Sequence, residues 1–230
     1  MTARSRQARV AGALYLLASA VGVVRLLYIP TKLIVGGDAA ATAANLRAHE
    51  ALFRWGLATQ LAGAVLWLLV VLALYRLLKD VDERLAKLMV VLGALIPVPL
   101  FFMNAVNDGA ALLLAVGGGA LGGIDAAQRE ALAYLFLRLH HLGDLANEIF
   151  WGLWLLPFGR LVVRSQFLPR VLGWWLMAAC FGWLAMSFAG FVFPGSEATV
   201  ANWAQPATIG ELVMMLWLVA VGARERAISG

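Results

Sequence analysis

Six long apolar runs, separated by short polar or basic turns, leave this chain few folds to adopt. About 18 or more mostly apolar residues read as a membrane-spanning helix, because about 20 residues cross a hydrocarbon core of about 30 Å. The runs lie at about 9–29, 54–78, 87–115, 142–163, 169–193 and 206–223. Composition agrees, with 63% of 230 residues hydrophobic and 13% charged, against roughly 45–50% and 25% in soluble domains. The expected fold is therefore all-α: an integral membrane bundle of six transmembrane helices, forming one domain over residues 1–230. The single cysteine, Cys180, lies inside the fifth run and excludes an intrachain disulfide.

The net charge of +5 is a topology signal. Twelve of the 18 basic residues fall at one set of run ends: Arg4, Arg6, Arg9; Arg76, Lys79, Arg84, Lys87; Arg160, Arg164, Arg170; Arg224 and Arg226. Cytoplasmic connections carry an excess of Lys and Arg, so both termini are expected in the cytoplasm, with the chain in the cell membrane. Bases at that level also meet anionic headgroups. Membrane lipid is the expected partner, and nucleic acid is not. The basic start, followed by an apolar run reaching Ala18-Ser19-Ala20, has the outline of a signal peptide. Apolar residues continue to Tyr28, however, interrupted only by Arg25; the reading is an uncleaved first span.

Pro30 and Gly36-Gly37 end the first run, and Asp38 is placed to cap an alanine-rich helix over about 39–52. That segment is too polar to span and is expected as an outer interfacial helix between the first two spans. Asp125, with Gln128 three residues later, opens the helix that becomes the fourth span. The outer loop between Pro194 and Pro206 holds Trp203, a residue suited to an interface anchor.

The acidic and histidine residues gather toward the outer ends of these runs. His140, His141, Asp144, Asn147 and Glu148 share an arc of about 120° on helix four, and Asn104, Asn107 and Asp108 share about 100° on helix three. His49 and Glu50 stand at the mouth of helix two, Arg25 in the outer half of helix one, and Glu211 near the outer end of helix six. Ionisable residues in spans are costly and mark functional sites by default. Leu46-Arg47-Ala48-His49 also echoes Leu137-Arg138-Leu139-His140, which puts His49 and His140 in equivalent places.

Two chemistries fit these residues. As a ligand site, Arg25, Glu50, Asn104, Asn107, Asn147, Glu148 and Glu211 would hold a small-molecule or lipid-like ligand in an outward-facing pocket. As a metal site, His49, Asp108, His140, His141 and Asp144 would supply mixed imidazole and carboxylate ligands, suited to zinc, iron or manganese. His140 and Asp144 have the i, i+4 spacing that puts two ligands on one ion. The blander reading is helix-to-helix hydrogen bonding, with Glu50 in a surface pair with Arg54. His49-Glu50 does not continue to H-E-x-x-H, since position 53 is Phe, and no nucleophile elbow, Walker loop or dinucleotide fingerprint is present.

The phrases AAATAANLRAHEALFRWG and LHHLGDLANEIFWGLWLLPFGRLVVRSQFLPRVLG resemble the bacterial membrane proteins grouped as domain of unknown function 4386. The resemblance rests on His49-Glu50, on His140 with Gly143, and on the Arg-Ser-x-Phe-Leu-Pro-Arg turn at 164–170. It implies a six-helix membrane protein without an assigned activity, and it transfers no catalytic residues. Three functional classes therefore stand open: a binding or transport protein, a metal-dependent membrane enzyme acting on a lipid-like substrate, and a structural module whose polar residues set helix packing.

Overall fold

A computed structural model describes residues 2–224; Arg226, counted above among the inner bases, lies outside the described residues. Every regular element among the described residues is a helix. α1 (Ala3–Val23) passes through a π-helical turn (Val24–Tyr28) into the short α2 (Ile29–Leu33). α3 (Ala39–Ala48) and α4 (Glu50–Leu78) follow. α5 (Glu83–Val90) joins α6 (Pro97–Val116) through a second π-helical turn, Val91–Leu95. Beyond these come α7 (Ala126–Leu153), α8 (Leu155–Ser165), α9 (Arg170–Val192) and α10 (Glu197–Ala220).

Among the described residues, five stretches are long and apolar enough to cross a membrane: Ala3–Leu33, Glu50–Leu78, Glu83–Val116, Arg170–Val192 and Glu197–Ala220. The run expected at 142–163 is broken at Trp154. Pro157 has no N–H to give the Leu153 carbonyl, so the ladder is interrupted there. The same run carries Asp144, Glu148 and Arg160. Two other boundaries differ from expectation. α3 stops at Ala48 rather than near residue 52, with His49 as its C-terminal flanking residue. α10 begins at Glu197 and contains Pro206, which had been expected to start the helix. One proline removes a single N–H from the ladder, and an apolar helix with neighbours tolerates that.

Large apolar side chains face outward, with Val106, Leu113 and Phe181 each 66% exposed and Trp203 82% exposed. Such surface is a liability in water but the ordinary face of a helix in hydrocarbon.

The chain divides into two compact units. One comprises Met1–Ala18, Val65–Pro99 and Leu145–Gly230. Its core centres on Trp154, which meets Trp67 edge-on at 5.3 Å and stacks on Phe158 at 5.2 Å. The second π turn follows from Pro97. Without a proline N–H, the Gly93 carbonyl has no helical donor, and Trp67 Nε1 donates to it at 2.6 Å. α8 and α9 cross where Gly159 and Gly173 meet: a Cβ on either would lie 2.5–2.6 Å from the other's carbonyl oxygen. Small residues permit such close crossings in membrane proteins.

The other unit comprises Ser19–Ala64 and Leu100–Asp144. Ile29, Leu33, Leu46, Phe53, Leu112 and Leu137 are among its buried core. Asp38 caps α3 by accepting from Ala41 N at 2.8 Å, and Asp125 accepts from Ala127 N at 2.9 Å and Gln128 N at 3.3 Å; both caps match expectation. Gly37, at φ +79°, makes the turn before α3, and its N–H donates to Tyr134 Oη at 2.8 Å. Arg47 reaches the Ala115 carbonyl at 3.2 Å and Glu130 at 2.9 Å. These contacts hold α3 and the start of α7 to the end of α6.

Candidate functional site

The second unit brings polar and charged side chains from four helical stretches to one place. Arg25 comes from the first π turn. There Pro30 cannot donate to the Leu26 carbonyl, and the helix widens just before it, as the second π turn does ahead of Pro97. Gln60 comes from α4. Asn104 and Asp108 stand one turn apart on α6, and His140 and Asp144 one turn apart on α7, so each pair presents a single face. Asp108 is 0% exposed, Asn104 2%, and Arg25 and His140 6% each.

Arg25 Nε donates to Gln60 Oε1 and to Asp108 Oδ2, each at 3.0 Å. Its Nη2 forms an ion pair with the same Asp108 oxygen and lies 3.2 Å from both ring nitrogens of His140. His140 sits between two carboxylates. Its Nδ1 is 3.1 Å from Asp108 Oδ1, and its Nε2 is 3.1 Å from Asp144 Oδ2. Nδ1 is also 3.2 Å from the Asn104 carbonyl. Asp108 Oδ1, although near the ring, has no hydrogen bond aligned to it. Asn104 Nδ2 donates to Asp144 Oδ1 at 2.8 Å, and Gln60 Nε2 donates to the Phe101 carbonyl at 3.2 Å. Gly143 makes the α6–α7 approach feasible, since a Cβ there would overlap the Asn104 amide.

The arrangement has a buried end and a partly open end. Asp108 is closed off, whereas the Asp144 side chain is 19% exposed. Carboxylates only accept hydrogen bonds when ionised, and a neutral imidazole donates from one nitrogen alone. A ring facing a carboxylate on each side is therefore fully matched only while both nitrogens carry protons, or while one carboxyl does.

A second polar cluster lies in the first unit, where sequence reasoning expected Glu211 to join the first. Instead Glu211 Oε2 accepts from Tyr15 Oη at 2.6 Å and Oε1 from Trp183 Nε1 at 2.6 Å. Tyr15 packs against Trp67 and Trp154, with centroids 5.3 and 5.9 Å away. Asn147 is also in this unit and donates to the Pro97 carbonyl at 3.4 Å, and Glu148 is buried there on α7.

Of the residues named from sequence, then, Arg25, Asn104, Asp108, His140 and Asp144 converge. Glu50 forms an i, i+4 ion pair with Arg54 at 2.6 Å, partly exposed. His49 is exposed at the break between α3 and α4 and takes part in none of the contacts around Arg25. The expected equivalence with buried His140 does not hold, because one residue ends a helix and the other sits inside one. Asn107 and His141 are half-buried and contribute none of the bonds described above. Among the described residues, no group of three or more His, Cys, Asp or Glu side chains is placed to hold a metal ion; the cation beside Asp108 is the Arg25 guanidinium. Sequence reasoning missed Gln60, Tyr15 and Trp183. The signal for Gln60 was available: it is an amide inside an otherwise apolar run.

Comparison with known proteins adds one relationship. No curated protein matches the chain, and no solved structure matches it. A family model, however, aligns with residues 10–222 and takes in both polar clusters. This chain belongs to the family described as Domain of unknown function (DUF4386).

Proposed function

We propose that this chain crosses the cell membrane six times, with α7 and α8 together making the fourth crossing, α3 lying at the outer interface and both termini cytoplasmic. Within that bundle, the cluster around Arg25 binds a small or lipid-like ligand through a donor-bearing head such as an amine or a hydroxyl. The observation that carries the reading is Asp108. It is fully buried on an apolar helix, with one oxygen on Arg25 and the other without an aligned hydrogen bond. A purely packing role would be met by neutral amides, without the desolvation of two acids and a guanidinium. The acceptor that a ligand can reach is the partly open Asp144 carboxylate, so the complementary group is a donor or a cation. His140 links the two acids and lets a proton move between them when a ligand's head arrives or leaves.

Thermal stability of the purified protein in detergent, measured against a panel of primary amines and polyols, tests this reading. The expected outcome is stabilisation by at least one class, lost in Asp144→Asn and in His140→Gln. Stabilisation that survives both substitutions, or none from any class, would overturn it.

A further inference from the structure

The first unit holds a cavity of about 440 Å³ lined by Thr2, Arg4, Arg164, Ser165, Phe167 and Arg224 among others. That volume lies within the range of small-ligand sites, about 300–1,000 Å³. Its walls come from the start of α1, the turn after α4, the end of α8 and the residues after α10, which are the basic ends picked out by the charge pattern. Asp80 is the one acid in its lining.

The three arginines are not equivalent. Arg164 is already committed to Asp82, with Nη1 2.6 Å from Oδ2. Arg4 and Arg224 are held by aromatic rings instead, with guanidinium carbons 4.9 Å from the Phe167 centroid and 4.7 Å from the Trp217 centroid. A ring orients a guanidinium but uses none of its N–H donors. Among the described residues, no carboxylate pairs with Arg4 or Arg224. The backbone fixes their relation, since Arg224 N donates to the Phe167 carbonyl at 2.9 Å. Arg4 and Arg224 thus bring two planar donor forks with unspent hydrogen bonds to one cavity, and Thr2 is also in its lining, whereas the Ser165 hydroxyl is already committed to the Val162 carbonyl.

Planar guanidinium forks match the tetrahedral oxygens of a phosphate, which accept in bidentate fashion. Basic pockets on the cytoplasmic side of helix bundles bind phosphorylated lipid heads in this way. We infer that this cavity is a phosphate site, taking either the phosphodiester of an anionic lipid or a soluble phosphate compound. The inference shares no residue with the Arg25 cluster and stands without the proposed function.

The test uses the full chain in lipid nanodiscs. One arm compares retention of phosphatidylglycerol with that of phosphatidylcholine by native mass spectrometry. The other measures thermal stabilisation by inorganic phosphate and pyrophosphate in phosphatidylcholine discs. Loss of one charge-assisted pair weakens binding about tenfold, so Arg4→Gln and Arg224→Gln should each show a drop of that size. Arg84→Gln, an exposed base outside the lining, should show none. Where a Gln variant does not fold, Arg4→Lys keeps the charge without the fork and should weaken binding by a smaller factor. A response in the lipid arm alone identifies a headgroup, and one in the phosphate arm alone identifies a soluble ligand. Both support the site. Absence of a wild-type response in both arms, or equal losses from Arg84→Gln and Arg4→Gln, would overturn it.

Discussion

Arg25 and Asp108 form an ion pair with side chains only 8% and 0% exposed, within helical stretches apolar enough to cross a membrane. Two ions removed from water need each other and further hydrogen bonds to be tolerated. Gln60 and His140 supply these on the Arg25 side. On the Asp108 side one oxygen lacks an aligned donor, so the pair is less completely satisfied there than at Arg25.

Breaking one half of the pair should therefore cost more than removing both halves. Asp108→Leu alone leaves a buried guanidinium and should destabilise by about 3–5 kcal/mol. Arg25→Leu combined with Asp108→Leu should recover much of that loss. Unfolding of the purified protein in mixed micelles reads the difference; a double variant no better than the single would show that the charges are not coupled.

Gly143 sets how closely α6 and α7 approach. Gly143→Ala should displace the Asn104 amide, break its bond to Asp144 and cost about 1–3 kcal/mol through overpacking. Shortening the obstructing side chain with Asn104→Ala should offset part of the cost. If Gly143→Ala is as stable as the parent, the close approach is not required.

Much of this was legible in the chain. Apolar runs against a fixed hydrocarbon thickness found the five apolar helices, and the Asp38 and Asp125 caps were readable because a short acceptor before a helical pattern has one common use. Arg25, Asn104, Asp108, His140 and Asp144 were found as expensive residues in apolar surroundings. Sequence could not sort these from Glu211 and Asn147, because depth along a helix does not say which neighbouring helix a side chain meets. Pairing is decided by contacts such as Gly143 against Asn104 and Gly159 against Gly173, which have no one-dimensional signature. The echo between His49 and His140 misled for a related reason: it matched letters across a helix end and a helix interior. The break at Trp154 was readable in principle, since Pro157 stands inside the run.

The Tyr15–Glu211–Trp183 cluster should behave as a closed structural unit. Both carboxylate oxygens are occupied at 2.6 Å, leaving little for a ligand. Glu211→Leu orphans the buried Tyr15 hydroxyl, at about 1–3 kcal/mol, and the half-buried Trp183 indole N–H at a smaller cost, whereas Glu211→Gln keeps an acceptor and should cost less. Tryptophan emission should shift in both variants. Equal stability of Leu and Gln at this position would mean that the two donors find other partners.

Topology supplies the last test, because among the described residues five helical stretches qualify as spans on length and apolarity, while the proposed function requires a sixth crossing through α7 and α8. In a Cys180→Ala background, single cysteines at Arg6, Gln128, Arg170 and Thr199 all occupy exposed positions. A membrane-impermeant maleimide added to intact cells should label Gln128→Cys and Thr199→Cys and spare Arg6→Cys and Arg170→Cys. Positions 128 and 170 bracket the broken helix, so opposite behaviour there means that α7 and α8 cross together despite Asp144, Glu148 and Arg160. The buried partners of Asp144 explain how that helix could be accommodated, because an ionisable residue within a bundle faces protein or water rather than acyl chains. Labelling of both 128 and 170 from outside would instead leave α7–α8 on one side of the membrane. It would also remove His140 and Asp144 from any site built within the bilayer.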